Sequence, residues 1–173
     1  MESVFLPGES SGCLLALDQR GNSWQLWEAG LSCSVGVRVP VTPDNCTVNV
    51  STQWNISFGN LERTDIPADS GTEQTRDLSL ICTGGQTHNF NVRLAMNPTT
   101  WSNNQMVTSN KDLGVRITVD GNPIDVGGNF TMSAQTQATK TLGFSVLRNP
   151  SMPGENIATG DFSASGTLVI TEQ

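Results

Sequence analysis

The chain has 173 residues, enough for one domain with a core of its own plus a shorter appendage. Its formal net charge of -7 argues against nucleic acid or an anionic membrane surface as partner, and it contains no stretch of about 20 apolar residues that could insert as a membrane helix. Only 14% of residues are charged, while Thr, Ser, Asn and Gly are abundant, a mixture that suits strands and turns better than helices.

Met1-Glu2-Ser3 carries neither a basic nor an apolar leader, so the sequence reads as a mature chain or a cut segment with an added methionine. Ser11–Leu17 and Ser23–Trp27 are each expected as a short strand around a Gly21-Asn22 turn. Leu31, Cys33, Val35, Val37, Val39 and Val41 then alternate with other residues in a second strand-like run. A break falls near Val41–Asn45, giving a division into residues 1–41 and 42–173. Beyond it, Thr47–Ser51, Ile56–Leu61, Arg76–Cys82 and Asn89–Ala95 read as strands, and Thr64–Gln74 as a loop. The stretch from Asn97-Pro98 to Asn110 is polar. Leu113–Val119 and Ile124–Val126 flank Asp120-Gly121-Asn122-Pro123, a hairpin turn in which Gly121 supplies the positive φ. Lys140–Leu147 is a further strand, and Asn149–Thr159 is a long Pro/Gly turn.

The chain ends on G-D-F-S-A-S-G-T-L-V-I-T-E-Q, read as a strand over Phe162–Thr171. Phe162, Ala164, Gly166, Leu168 and Ile170 fall on one face of it and hydroxyl residues dominate the other. A terminal strand with an apolar face must pair somewhere or remain an edge that invites another chain. Several short strands punctuated by Gly and Pro indicate an all-β sandwich.

Four cysteines, Cys13, Cys33, Cys46 and Cys82, are widely spaced and accompanied by a single histidine, His88, which makes a Cys/His zinc site a poor reading. Two disulfides have three possible connectivities, of which Cys46–Cys82 with Cys13–Cys33 is the one favoured. Disulfides imply an oxidising compartment.

The stretch from about Thr42 to Gln173 resembles the pilin domain of bacterial chaperone–usher fimbriae. The resemblance rests on the order of several pieces: Cys46-Thr47-Val48, Phe58-Gly59-Asn60-Leu61, Leu78-Ser79-Leu80-Ile81-Cys82-Thr83-Gly84, the Gly114–Gly121 hairpin strand, Leu142–Val146, and the closing G-x-F-x-A-x-x-T-L-x-I run to Gln173. One departure stands out: the penultimate residue, usually tyrosine in this family, is Glu172.

The resemblance implies an incomplete immunoglobulin-like β-sandwich, lacking its last strand. A groove beside the final strand would be lined by Phe162, Ala164, Gly166, Leu168 and Ile170. A periplasmic chaperone would fill it in transit through the usher, gripping the carboxylate of Gln173, and a neighbouring pilus subunit would fill it in the fibre. Gly166 is expected to leave room for a partner's side chain. Val35, Val37, Val39 and Val41 would be a donor strand if this is a shaft or adaptor subunit. If it is a tip adhesin, residues 1–41 are instead the tail of a preceding lectin domain that binds a host glycan. The leading reading is a non-catalytic tip or minor fimbrial subunit in cell adhesion, in transit through the periplasm and then extracellular, with no cofactor or metal. The remaining alternative is an unrelated secreted β-sandwich binding module.

Other signals carry less. His88 sits between polar residues and reads as part of a solvated turn; Asp65, Asp69 and Glu73 lack the spacing of a calcium loop. Sequons at Asn45, Asn49, Asn55 and Asn129 are expected by chance in so Asn/Thr-rich a chain. Of Trp24, Trp27, Trp54 and Trp101, the last is the best candidate for a surface aromatic.

Overall fold

The computed structural model describes Leu15–Leu17, Ser23–Gln25, residues 44–49 and residues 53–173. The chain divides into two compact units, Met1–Pro40 and Val41–Gln173. In the first, β1 (Leu15–Leu17) and β2 (Ser23–Gln25) pair antiparallel, with Ala16 opposite Trp24. Cys13, Cys33 and the alternating run Val35, Val37, Val39 and Val41 lie outside the described residues.

The second unit is all-β, as expected. Its strands are β3 (Asn45–Asn49), β4 (Gln74–Thr83), β5 (His88–Ala95), β6 (Gln105–Val107), β7 (Leu113–Val119), β8 (Asn122–Pro123), β9 (Asn129–Ala134), β10 (Gln137–Arg148) and β11 (Thr167–Glu172). One sheet runs β3-β4-β10-β7-β6, with β8 paired to β7; the other runs β11-β5-β9. Every pairing is antiparallel.

The period of two decides which side chains meet between the sheets. Leu78, Leu80 and Cys82 from β4, Val115 and Ile117 from β7, and Leu142 and Phe144 from β10 face Phe90, Val92 and Leu94 from β5. Each such burial contributes about 1.5–3 kcal/mol relative to exposure. Trp54 packs on this core with its ring edge-on to Phe144, centroids 6.4 Å apart. A second cluster, Ile66, Leu113, Val146 and Ile157, fills one end. Cys46 and Cys82 stand opposite each other in the β3–β4 register and are joined by a disulfide. Closing that loop of separation 36 stabilises the fold by about 4 kcal/mol in the chain-entropy model.

The turn after β7 forms as the sequence indicates. Asp120 and Gly121 both take left-handed φ, 51° and 78°, the pair that a tight hairpin with the twist of its strands needs. The Asp120 carboxylate also accepts from the Thr141 main-chain N–H at 3.0 Å and from Lys140 Nζ at 2.6 Å.

Four segments differ from the sequence reading. β9 was not expected, although Phe130, Met132 and Ala134 alternate; it pairs with β5 and buries Met132 and Ala134. β6 arises within the polar stretch before Asn110, where Met106 is drawn into the core. Ile56–Leu61 is not a strand: it runs unpaired while Ile56 and Phe58 pack on the core. Ile124–Val126 forms no strand either, because only Asn122 and Pro123 match β7 before the chain leaves, with the Ile124 N–H on Ile117 O at 3.1 Å.

Candidate strand-accepting groove

β11 begins at Thr167, later than the sequence pattern suggests. On one side it pairs with β5, Leu168 opposite Leu94 and Ile170 opposite Val92. On its other side no strand among the described residues joins it. Because Leu94 and Val92 are fully buried, the register turns Leu168 and Ile170 inward, where they pack half-buried on the main core. Val169, one residue out of phase, faces away and is 43% exposed. The expected alternation therefore holds from Leu168 to Ile170.

Upstream of Thr167 the chain takes other partners. Phe162 packs against the second cluster as part of the domain's own core. Ser163 is tied to the loop after β6: its N–H donates to Ser109 Oγ at 3.0 Å, and its carbonyl accepts from the Ser109 N–H at 2.8 Å. Ala164 and Gly166 are exposed and line an open concavity together with Ala95, Met96 and Val107. The room at Gly166 is taken by this domain's own Met96, whose Cε would stand 2.6 Å from an added Cβ.

The opposing sheet ends on β3. Val48 stands opposite fully buried Leu80, on the inward side of β3, yet it is 40% exposed. An inward-facing valine left open to solvent marks a gap between the two edge strands. Sequence reasoning did not single out Val48; the short alternation of Thr47–Ser51 was the only signal. The open flank thus offers Leu168 and Ile170 on one wall, Val48 on the other, and a row of β11 main-chain groups without strand partners among the described residues. Such an edge can hydrogen-bond an extended segment and bury alternate side chains.

One end of the flank holds a feature the sequence reading misplaced. His88 is not in a solvated turn; it opens β5, and its side chain is only 11% exposed. Its Nδ1 meets Glu172 Oε1 at 2.5 Å and its Nε2 meets Asp44 Oδ1 at 3.0 Å. Hydrogen bonds to those two carboxylates, Glu172 first, raise its pKa above 6.5. The penultimate Glu172 therefore has a definite contact. Next to it, the Gln173 N–H donates to Asn89 O at 2.9 Å.

The remaining candidates serve the fold. Glu73 accepts from Thr118 Oγ1 at 2.9 Å, and Asp65 lies in a short 3-10 turn. Trp101 is half-buried, donating its Nε1–H to Gln105 Oε1 at 3.2 Å.

Among solved structures, the chain is similar to the P pilus rod subunit PapA, with a TM-score of 0.59 and 16% identity over 74% of this chain and 99% of that one. It is similar as well to the P pilus adaptor subunit PapF, with a TM-score of 0.50 and 20% identity over 74% of this chain and 95% of that one. A chaperone–usher pilus studied for rod uncoiling matches with a TM-score of 0.59 and 13% identity, over 88% of this chain and 100% of that one. At these identities the likeness establishes the fold. No curated protein sequence matches. The sequence model of the fimbrial protein family matches residues 32–173, the whole sandwich and a short stretch before it, and the chain belongs to that family.

Proposed function

We propose that this chain is a non-catalytic subunit of chaperone–usher fimbriae, completed by a strand supplied by another chain. The observation that carries this reading is β11: an apolar inward face, Leu168 and Ile170, on an edge that has no strand partner among the described residues. A supplied strand would lie against that edge, facing Val48 across the gap. In transit a periplasmic chaperone would lend the strand, next to Gln173 at the end of β11, and a neighbouring subunit would replace it in the extracellular fibre. Filling four or five apolar positions at about 1.5–3 kcal/mol each gives on the order of 10 kcal/mol before ordering costs.

The test is the thermal midpoint of the full, non-reduced chain with and without a synthetic peptide of residues 31–41 carrying Cys33→Ser. A rise of tens of degrees is expected. An unchanged midpoint with that peptide and with donor-strand peptides from related pili, both for the full chain and for a chain shortened to begin at Val41, overturns the reading and leaves a self-sufficient β-sandwich binding module.

Two positions in the fibre fit this role. The family match begins at residue 32 and so takes in Val35, Val37, Val39 and Val41, which favours a shaft or adaptor subunit whose residues 31–41 complete a neighbour. The other is a tip adhesin, with residues 1–41 as the tail of a glycan-binding domain. A longer parent sequence with another domain upstream decides for the second.

A further inference from the structure

The single histidine of the chain contacts residues at the ends of both edge strands of the open flank. Asp44 immediately precedes β3, the edge of one sheet, and Glu172 is the last residue of β11, the edge of the other. His88 touches both, one carboxylate on each ring nitrogen.

A neutral imidazole has one N–H and one lone pair, so it can donate to only one of two ionised carboxylates and must repel the other. Only the imidazolium donates to both. The groups around the ring favour that form. The titratable side chains facing it are Asp44 from the segment before β3 and Glu172 from β11; β9 places Ala134 opposite it, and β5 stacks Phe90 beside it with ring centroids 6.4 Å apart. Gln173, the residue after β11, has an uncharged side chain and carries the terminal carboxylate, with its N–H bonded to Asn89 O. Gly84 lies directly against Asp44, where an added Cβ would fall 2.5 Å from both its Cα and its Oδ1, the oxygen that meets His88.

We propose that His88 is a protonation-dependent clasp at one end of the groove, tying the end of β11 to the head of β3 while it carries two protons and releasing one of them when it loses a proton. Nε2···Asp44 is the longer of the two contacts and is the one expected to open, which loosens Asp44 ahead of β3 while β3 stays paired with β4 and Glu172 stays bound. For its consequence the clasp rests on the groove reading. A supplied strand would meet two edges held at a fixed spacing at low pH and a looser pair at high pH, so the pH at which subunits form and exchange would set how firmly that end is closed. The folded-state pKa lies above the ordinary 6.5. The stabilisation is therefore fully present below 6.5 and is lost as pH rises through the folded-state value.

Because the chain has one histidine, its imidazole nitrogen and proton resonances need no assignment, and the full chain can be titrated directly by NMR. We expect a midpoint above 6.5, two protonated ring nitrogens below it, and a lower midpoint in both Asp44→Asn and Glu172→Gln. A midpoint at or below 6.5 that neither substitution moves overturns the clasp. The thermal midpoint gives a second readout: wild type should exceed His88→Gln by a few degrees in acid, and the gap should close once the pH has passed the midpoint found by NMR. A gap that is constant with pH overturns the proposal, since it would report packing alone.

The residue 31–41 peptide separates the two readings. Its affinity should change a few-fold between acid and alkaline buffer for wild type and stay flat for His88→Gln; an equal pH response in both overturns the link to strand acceptance. A peptide that never binds, beside a histidine that titrates as expected, defeats the groove reading and leaves the clasp standing. A peptide that binds beside an unperturbed histidine does the reverse.

Discussion

The two flanks of the sandwich are built on opposite terms. At one, the short edge strand β6 is closed by the chain itself: Pro98 bridges Met106, the Thr99 N–H donates to Gln105 O at 2.8 Å, and the Val107 N–H donates to Asn97 O at 2.9 Å. Met106 beneath it is 7% exposed. At the other flank, β3 and β11 are left without a strand between them among the described residues, and the inward-facing Val48 is 40% exposed. The same chain that spends a loop on covering one edge leaves the other without a strand partner among the described residues. An uncovered apolar edge is a hazard unless something is meant to occupy it.

Substitutions can break or sharpen that contrast. The largest effect is expected from Cys46→Ala with Cys82→Ala, which removes the covalent tie holding the edge strand β3 to β4. It should cost about 4 kcal/mol and lower the thermal midpoint by on the order of 10 °C. On the closed flank, Met106→Ala should cost about 2–5 kcal/mol in denaturant unfolding whether or not a strand peptide is present, because its pocket is already complete. A cost that disappeared with peptide would mean that β6, not β11, is the accepting edge.

Gly143→Ala tests the sheet between the flanks. Its Cβ would fall 2.4 Å from Thr118 Oγ1 and 2.5 Å from Glu73 Oε2, so the pair covering the sheet must move. A loss of about 1–3 kcal/mol is expected. Val48→Ser should change the stability of the uncomplemented chain by less than about 0.5 kcal/mol, because the side chain is already wet, yet weaken peptide binding measurably. Equal losses with and without peptide would show that Val48 belongs to the closed core. The smallest effect is expected from Asp120→Asn. The Lys140 hydrogen bond, then the Thr141 N–H, hold the Asp120 pKa below 3.8. That contribution is present above 3.8 and lost as pH falls through the lowered value, so variant and wild type should converge in acid melts.

Much of the fold was legible because strand alternation is a local property. Leu78-x-Leu80-x-Cys82, Phe90-x-Val92-x-Leu94 and Leu142-x-Phe144 each announce which face is buried, and Asp120-Gly121 announces its turn. β9 was missed although Phe130, Met132 and Ala134 alternate, because Asn, Thr and Ser between them also suit a loop and only pairing with β5 decides. The inward face of the final strand was half legible. Leu168 and Ile170 followed from the pattern, whereas Phe162 and Gly166 carried the same pattern into a segment whose partners include the cluster of Ile66 and Leu113, Met96 and Ser109, all distant in sequence.

The sequence by itself determined the all-β class, the alternating faces and a final strand with one apolar side, since these depend on residues two apart. The tertiary structure alone decided which edges are covered, that Val48 looks inward without being buried, and that His88 joins Asp44 and Glu172. The last of these depends on contacts between residues 44 and 84 positions apart, and the others on which strands pair, none of which a local pattern encodes.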